Sequence, residues 1–148
     1  MPLSDENRQT LLISVHKSIE ESVNADANHI FHGRLNHLIG YPSNGGFTAE
    51  ELKALEELKE KQTLRSALRK VFASSAASAF FEFFSIVDGV ADPDSGTGPW
   101  TGVKIEDLSL DGEEQEPLLH DEFYATYWDW KLKRKNTNWS LDLEASDD

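Results

Sequence analysis

Residues 63–89 have the sequence TLRSALRKVFASSAASAFFEFFSIVDG, in which apolar side chains recur every three or four positions. This spacing places them along one side of an α-helix and predicts a helix over residues 63–88. Four phenylalanines lie around most of its C-terminal half, so we expect that half to be central in the core. Asp88 and Gly89 end the helix, because glycine readily takes the left-handed conformation. The apolar stripe consists of Leu64, Leu68, Val71, Phe72, Ala76, Ala79, Phe80, Phe83 and Val87.

Three more helices are predicted on the N-terminal side of this stretch. Apolar residues recur every four positions over residues 4–24, with Ser4 as the N-cap. A second helix is predicted over residues 26–39, before a segment rich in glycine and proline. A third begins at Thr48, where Thr48 and Glu51 match a capping box. Its apolar face points away from the stripe of the fourth helix, so we expect a break between them.

The C-terminal side predicts one helix and a little β-structure. Acidic residues open residues 117–134 and basic residues close them, which matches the helix dipole. Alternating apolar residues predict a small β-hairpin near residues 100–110 and a short strand at 139–143. The expected fold is mainly α, a single-domain helical bundle of about five helices. Its expected parts are four helices in 1–89, an acidic loop or hairpin in 90–116, a C-terminal helix in 117–135 and a tail in 136–148.

Composition and the first residues indicate the compartment. The 148 residues include no cysteine, which excludes disulfides and thiolate metal sites and fits a reducing compartment. Residues 1–6 have neither the basic nor the apolar region of a secretory signal. The longest apolar stretch, residues 76–87, is interrupted by polar residues and is too short to span a bilayer. We therefore expect a soluble, cytoplasmic protein that is not inserted in a membrane.

The negative charge is concentrated in one segment. The chain has a formal net charge of −13. Residues 88–129 contain twelve acidic residues and a single basic one, Lys104, and so carry −11. This charge disfavours direct binding to the phosphate backbone of nucleic acids. It favours a basic protein as the partner, because electrostatic attraction between oppositely charged proteins speeds their association.

No motif in the chain predicts a catalytic residue or a cofactor. His29 and His32 lie three apart on a predicted helix, as metal ligands do, and a third ligand could come from His16 or Glu20. The Glu-x-x-His pattern of helical metal sites is absent, so this site is a weak candidate. Asp88, Asp92 and Asp94 resemble part of a calcium loop, but the twelfth position lacks the glutamate that such a loop needs.

Aromatic residues within the acidic segment give the main functional prediction. The helix over 117–134 cannot bury all four of its tyrosines and tryptophans equally, so they are either core or interface residues. Tyrosine and tryptophan are frequent interface anchors, and a negative rim suits a basic partner. The residues predicted to bind this partner are Asp88, Asp92, Asp94, Trp100, Glu113, Glu114, Asp121, Glu122, Tyr124 and Trp128.

The leading hypothesis is a non-enzymatic acidic protein that sequesters a basic protein, in the manner of an immunity or antitoxin-like inhibitor. A nucleic-acid mimic is a variant with the same electrostatics, although the carboxylates show no regular spacing. A small metal-dependent or acid/base enzyme that uses the helix histidines is a second class. A helical scaffold without a ligand, whose acidity only confers solubility, is a third. The sequence predicts no oligomeric state.

Overall fold

The computed structural model describes residues 3–36, 38–41, 46–93, 99–107 and 118–135. Helices account for 65% of these residues, and no β-strand occurs among them. The predicted mainly α fold class is therefore confirmed. The helices of the described residues are α1 (Asp5–Phe31), α2 (Ala49–Glu56), α3 (Gln62–Val87), α4 (Leu119–Phe123) and α5 (Thr126–Lys133).

One continuous helix, α1, replaces the two predicted over residues 4–24 and 26–39, and it ends at Phe31, so the described residues between 32 and 39 are not helical. The two apolar stripes are a single stripe, since Ile19, Val23, Ala27 and Ile30 are all buried at spacings of three or four. Just after the helix, Gly33 has a φ of 64°, which is the left-handed conformation. The amides of Gly33 and Arg34 donate to the carbonyls of Ile30 and His29, which is a Schellman motif.

The described residues divide into two compact units, at positions 18/19 and 74/75. One unit contains residues 19–74, where Thr48 and Glu51 form the predicted capping box of α2. Arg65 lies over the ring of Phe31, 4.9 Å from its centroid, and donates a hydrogen bond to Asn28. These contacts join the C-terminal end of α1 to the start of α3 within this unit. The single-domain assignment stays a prediction.

The second unit contains residues 3–18, the C-terminal half of α3 and everything described after it. Leu12, Phe84 and Phe123 are fully buried at its centre. The rings of Phe84 and Phe123 lie 5.5 Å apart, and Phe80 contacts both. Of the phenylalanines in the C-terminal half of α3, Phe84 is buried, Phe80 and Phe81 are partly buried and Phe83 is about half exposed, so the expectation that this half is central holds only in part.

The helix predicted over residues 117–134 is interrupted. A turn at Tyr124 and Ala125 separates α4 from α5. In an unbroken helix the carbonyl oxygen of Phe123 would accept from the amide of Tyr127. Here that amide bonds to Tyr124 instead, and the Phe123 oxygen accepts from the side chains of His16 and Thr126. The interruption thus coincides with side chains taking the place of a backbone donor.

The predicted β-hairpin near residues 100–110 is not supported. Residues 99–107 form no strand, and Val103 and Ile105 are exposed. Gly102 has a φ of 90°, which breaks the extended backbone that a strand needs. Leu108 and Leu110, the expected partner strand, and the strand predicted at 139–143 lie outside the described residues.

Among the described residues, α3 alone is long and apolar enough to cross a membrane by length and composition. Only 17% of its most apolar 18-residue window is buried. Core helices of soluble proteins often have the same length and composition, so these two properties do not distinguish the cases. The expectation of no membrane span was based on the shorter stretch 76–87, and it stays a prediction.

Candidate functional site

A buried histidine joins α1 to the C-terminal helices. His16 Nε2 lies 2.6 Å from the carbonyl oxygen of Phe123 and 3.1 Å from Thr126 Oγ1. Its ring stacks on Phe123 at 4.7 Å, with an interplanar angle of 4°. Burial lowers the pKa of His16 below its ordinary value, although the hydrogen bond to Phe123 opposes this. A carbonyl can only accept, so Nε2 donates the proton, and the neutral ring fixes the turn after α4.

A second buried contact joins the end of α3 to the start of α4. Asp88 Oδ2 accepts from the backbone amide of His120 at 2.9 Å and faces His120 Nδ1 at 2.7 Å. Their side chains are only 8% and 10% exposed. Asp121 Oδ1 lies 3.3 Å from the other ring nitrogen of His120. The carboxylate of Asp88 therefore acts as an internal anchor for α4 and is not part of an open surface.

The outer side of α4 and α5 presents aromatic residues to solvent. Tyr124 and Trp128 are 51% and 54% exposed. Tyr124 stacks on Phe81 at 5.4 Å, and Trp128 packs edge-on against Tyr127 at 5.2 Å. Lys131 Nζ lies over the ring of Trp128, 5.6 Å from its centroid, and about half of each side chain stays exposed. We call Tyr124 and Trp128 together the aromatic face.

Arg8 is a buried cation of this unit. Its Nε donates to Glu122 at 2.6 Å and its Nη2 donates to Asp5 at 2.6 Å. Burial alone would lower the pKa of Arg8, but the hydrogen bonds and charges of Glu122 and Asp5 outweigh it and raise this pKa. Glu122, one of the predicted partner-binding residues, is therefore half-buried and ion-paired.

The segment 99–107 contains charged side chains and is hydrogen-bonded to the start of α1. Asp107 accepts from the side chain of Asn7 at 2.7 Å and from the backbone amide of Ser4 at 3.0 Å, and these bonds lower its pKa. Lys104 bonds to Glu106 at 2.7 Å and lowers the pKa of that carboxyl to about 2. Both carboxylates are thus held in the ionised form, and Lys104 neutralises one of them.

The other predicted binding residues differ in how far the structure describes them. Asp92 and Asp121 are exposed, and Trp100 is 40% exposed. Asp94, Glu113 and Glu114 lie outside the described residues. Asp121 and Glu122 lie on the short helix α4, which ends one residue before Tyr124 of the aromatic face. It does not bring Asp88 to the surface.

The weak metal candidates do not meet a third ligand in the described part of the chain, where no group of three or more potential ligands could hold a metal ion. His32 is exposed and packs edge-on against the ring of Phe31. His16, the suggested third ligand, directs Nε2 to the carbonyl of Phe123 instead. The anchoring roles of His16 and Arg8 were not predicted, although Asp5 and Arg8 have the three-residue spacing of a helical ion pair.

Three comparisons with known proteins add no relative. No protein-family model matches the chain, and no curated protein or solved structure matches it. Any statement on function therefore depends on the exposure, contacts and charges described above.

Proposed function

We propose that this chain is a non-enzymatic binding protein that captures a basic protein partner on the aromatic face. The observation that carries the proposal is the exposure of Tyr124 and Trp128. Tyr124 directly follows the buried Phe123, and Trp128 lies two residues after the buried Thr126. Both Tyr124 and Trp128 nevertheless keep about half of their surface exposed to solvent. Large aromatic side chains held rigidly at a surface supply contact area at little cost in conformational entropy.

The net charge of −11 over residues 88–129 supports a basic partner, although Lys131 lies over the ring of Trp128. A hydrogen bond from a neutral donor leaves a carboxylate charged, so the contacts of Asp107 do not reduce the negative field. Lys104 pairs with Glu106, and Arg8 pairs with Glu122 and Asp5. Asp92 and Asp121 remain exposed. Such a field accelerates encounter with an oppositely charged protein and makes the association sensitive to salt.

The sharper form of the proposal is an immunity or antitoxin-like inhibitor in the cytoplasm. Many proteins that act on nucleic acids are basic, because they must bind phosphates. An acidic protein with a rigid aromatic anchor can occupy such a basic surface without any catalytic group of its own. The small size of the chain and its charge of −13 fit this class.

The proposal is tested by affinity capture with matched baits. The wild-type chain, the double variant Tyr124→Ala/Trp128→Ala and the control Tyr41→Ala are immobilised and exposed to an extract of the source cells at low and high salt. Tyr41 is 92% exposed and lies in the other unit. The variant Tyr41→Ala therefore also removes an exposed aromatic ring, but not one of the aromatic face. The captured protein is then purified and its Kd for each bait is measured by calorimetry.

We expect a basic protein that binds the wild type and the control alike, at low salt better than at high salt. The double variant should lose at least tenfold in affinity, because interface anchors contribute more than 1 kcal/mol each. A partner with an acidic or neutral surface, or equal affinity of all three baits, contradicts the proposal.

A further inference from the structure

The ring of Trp128 already holds a cation of its own chain. Lys131, three residues later on α5, places its Nζ over the indole, 5.6 Å from the ring centroid. A cation within about 6 Å of an aromatic face is attracted by the negative charge of the π-system, and tryptophan is the best of the aromatic side chains for this contact. The face of this ring is therefore a place where a positive charge is stabilised.

The indole of Trp128 is supported on one edge and is still accessible. Tyr127 packs edge-on against it, with ring centroids 5.2 Å apart and an interplanar angle of 72°. Tyr127 in turn meets the ring of the buried His16 at 5.9 Å. Trp128 nevertheless keeps 54% of its surface exposed. A ring that its neighbour holds in place and that stays open to solvent needs little further ordering when a ligand stacks on it.

Lys131 occupies the ring of Trp128 without closing it. Its side chain is partly exposed, so its ammonium returns to water when another group takes its place. An ammonium is strongly hydrated and its four-carbon stem is flexible, which makes this exchange easy. Cation–π contacts at exposed positions are also weak. The contact with Lys131 thus acts as a competitor for any second cation that approaches the ring.

We propose that an arginine of the basic partner displaces Lys131 and stacks on the ring of Trp128. This inference rests on the proposed function for the existence of the partner, and it names the side chain that the aromatic face recognises. A lysine in the same place would exchange one ammonium for another and gain little. A guanidinium is planar, stacks on aromatic faces and is less strongly hydrated, so it outcompetes Lys131. Lys131 therefore makes the aromatic face selective for arginine over lysine.

General acidity and the ring predict different selectivities. Residues 88–129 carry a net charge of −11, which attracts every cation of the same charge to a similar extent. Attraction of this kind does not distinguish arginine from lysine. A preference for arginine that depends on Trp128 and Lys131 is therefore a property of the ring and its competitor.

The experiment is an NMR titration of the ¹⁵N-labelled chain with two peptides of equal charge, acetyl-Arg-Gly-Arg-amide and acetyl-Lys-Gly-Lys-amide. The signal followed is the indole Nε1–H of Trp128, assigned by its absence in the variant Trp128→Leu. We expect a saturable shift with the arginine peptide and an affinity at least threefold weaker for the lysine peptide. Equal affinities for the two peptides, or no shift of this signal with the arginine peptide, would overturn the inference.

Two matched variants of α5 separate competition at the ring from the loss of a positive charge. Lys131→Gln removes the charge and the competitor together, and should tighten the arginine peptide about threefold to fivefold, as an exposed cation–π contact would. Lys133→Gln removes the same charge from an exposed residue at the end of α5, and should tighten it less than about twofold, because only a screened charge is lost.

The advantage of Lys131→Gln should depend on the indole. In chains that also carry Trp128→Leu, the affinities of the Lys131→Gln and Lys133→Gln variants should be equal, measured on the backbone amide of Asp129. An equal gain from the two glutamine variants while Trp128 is present contradicts the displacement. A larger gain from Lys131→Gln that persists without the indole contradicts it as well.

The outcomes also separate this inference from the proposed function. If the captured partner depends on Tyr124 and Trp128 but binds Lys131→Gln no better than Lys133→Gln, the displacement fails and the aromatic face stands. If the arginine peptide displaces Lys131 but all three baits of the capture experiment bind a protein equally, the aromatic face fails as the partner surface and the arginine preference of the ring stands.

Discussion

The two sides of the helix pair α4 and α5 differ sharply in burial, although residues of the two sides alternate along a short stretch of the chain. Phe123 is fully buried and Thr126 is buried, and both contact His16. Tyr124 and Trp128, one and two positions away from them, are about half exposed. The inner side is thus held by stacking and hydrogen bonds, and the outer side is left to solvent.

This difference separates stability from recognition within one short segment. A substitution on the inner side should unfold the unit, whereas one on the outer side should leave the fold intact and change binding. This division predicts graded losses of stability, with the largest loss at the most deeply buried position.

Phe123→Ala should produce the largest loss. Removing a fully buried phenylalanine that packs against Phe84 and stacks on His16 leaves a cavity, and such changes cost about 3–5 kcal/mol. The free energy of unfolding, measured by urea titration, should fall by this amount. Phe83→Ala, at a half-exposed position of α3, should cost about 1 kcal/mol or less. Similar losses for the two variants would show that the inner side is not a core.

Asp88→Ala should cost about 2–3 kcal/mol in the same measurement. It removes the acceptor of both the backbone amide and the ring nitrogen of His120, and buried donors without a partner are expensive. The matched change Asp121→Ala affects a carboxylate whose side chain is 69% exposed, and should cost about 0.5 kcal/mol or less. If Asp121→Ala were the more destabilising of the two, Asp88 would not be the anchor of α4.

His16 should make stability depend on pH. Its pKa is lowered in the folded chain because the ring is buried, so the unfolded chain binds the proton more tightly. The stabilising contribution is complete above the ordinary pKa of 6.5 and declines as the pH falls below it toward the lowered value. Unfolding free energies between pH 8 and pH 5 should fall less steeply for His16→Gln, which can still donate to the carbonyl of Phe123. An unchanged slope in this variant contradicts a neutral His16.

Trp128→Ala should have only a small effect on folding. Its ring is 54% exposed and contacts mainly Tyr127 and Lys131, so the expected loss is below about 1 kcal/mol. Thermal and urea unfolding followed by circular dichroism measure it without relying on tryptophan fluorescence. A loss comparable to that of Phe123→Ala would place Trp128 in the core instead.

The helical elements with strong local signals were predictable from sequence. The extent of α3 and the capping box of Thr48 and Glu51 depend on short-range spacing, and both appear close to where they were predicted. The apolar stripe predicted for α3 is not its buried face, since Val87 is its one buried member and Val71 and Phe83 are exposed. The extent of α1 was wrong, because residues 24–26 contain neither glycine nor proline and do not stop a helix. Among the described residues Gly33 is the first with a positive φ, and α1 ends just before it.

The candidate site was less predictable because its contacts are long-range. The turn at Tyr124 coincides with a hydrogen bond from His16, more than a hundred residues away, to the carbonyl of Phe123. The pairing of Asp88 with His120 likewise cannot be deduced from spacing within one helix. What the periodicity did show is that a single helix face could not bury every aromatic residue of the segment.

The central claim is that the outer side of α4 and α5 recognises a basic protein and contributes little to folding. The most direct test measures the Kd of the purified partner and the free energy of unfolding for the same two variants, Tyr124→Ala/Trp128→Ala and Tyr41→Ala. The account predicts at least a tenfold weaker Kd for the double variant with its circular dichroism spectrum unchanged, and no change in Kd for Tyr41→Ala. A double variant that unfolds, or that stays folded and binds as tightly as the wild type, would contradict it.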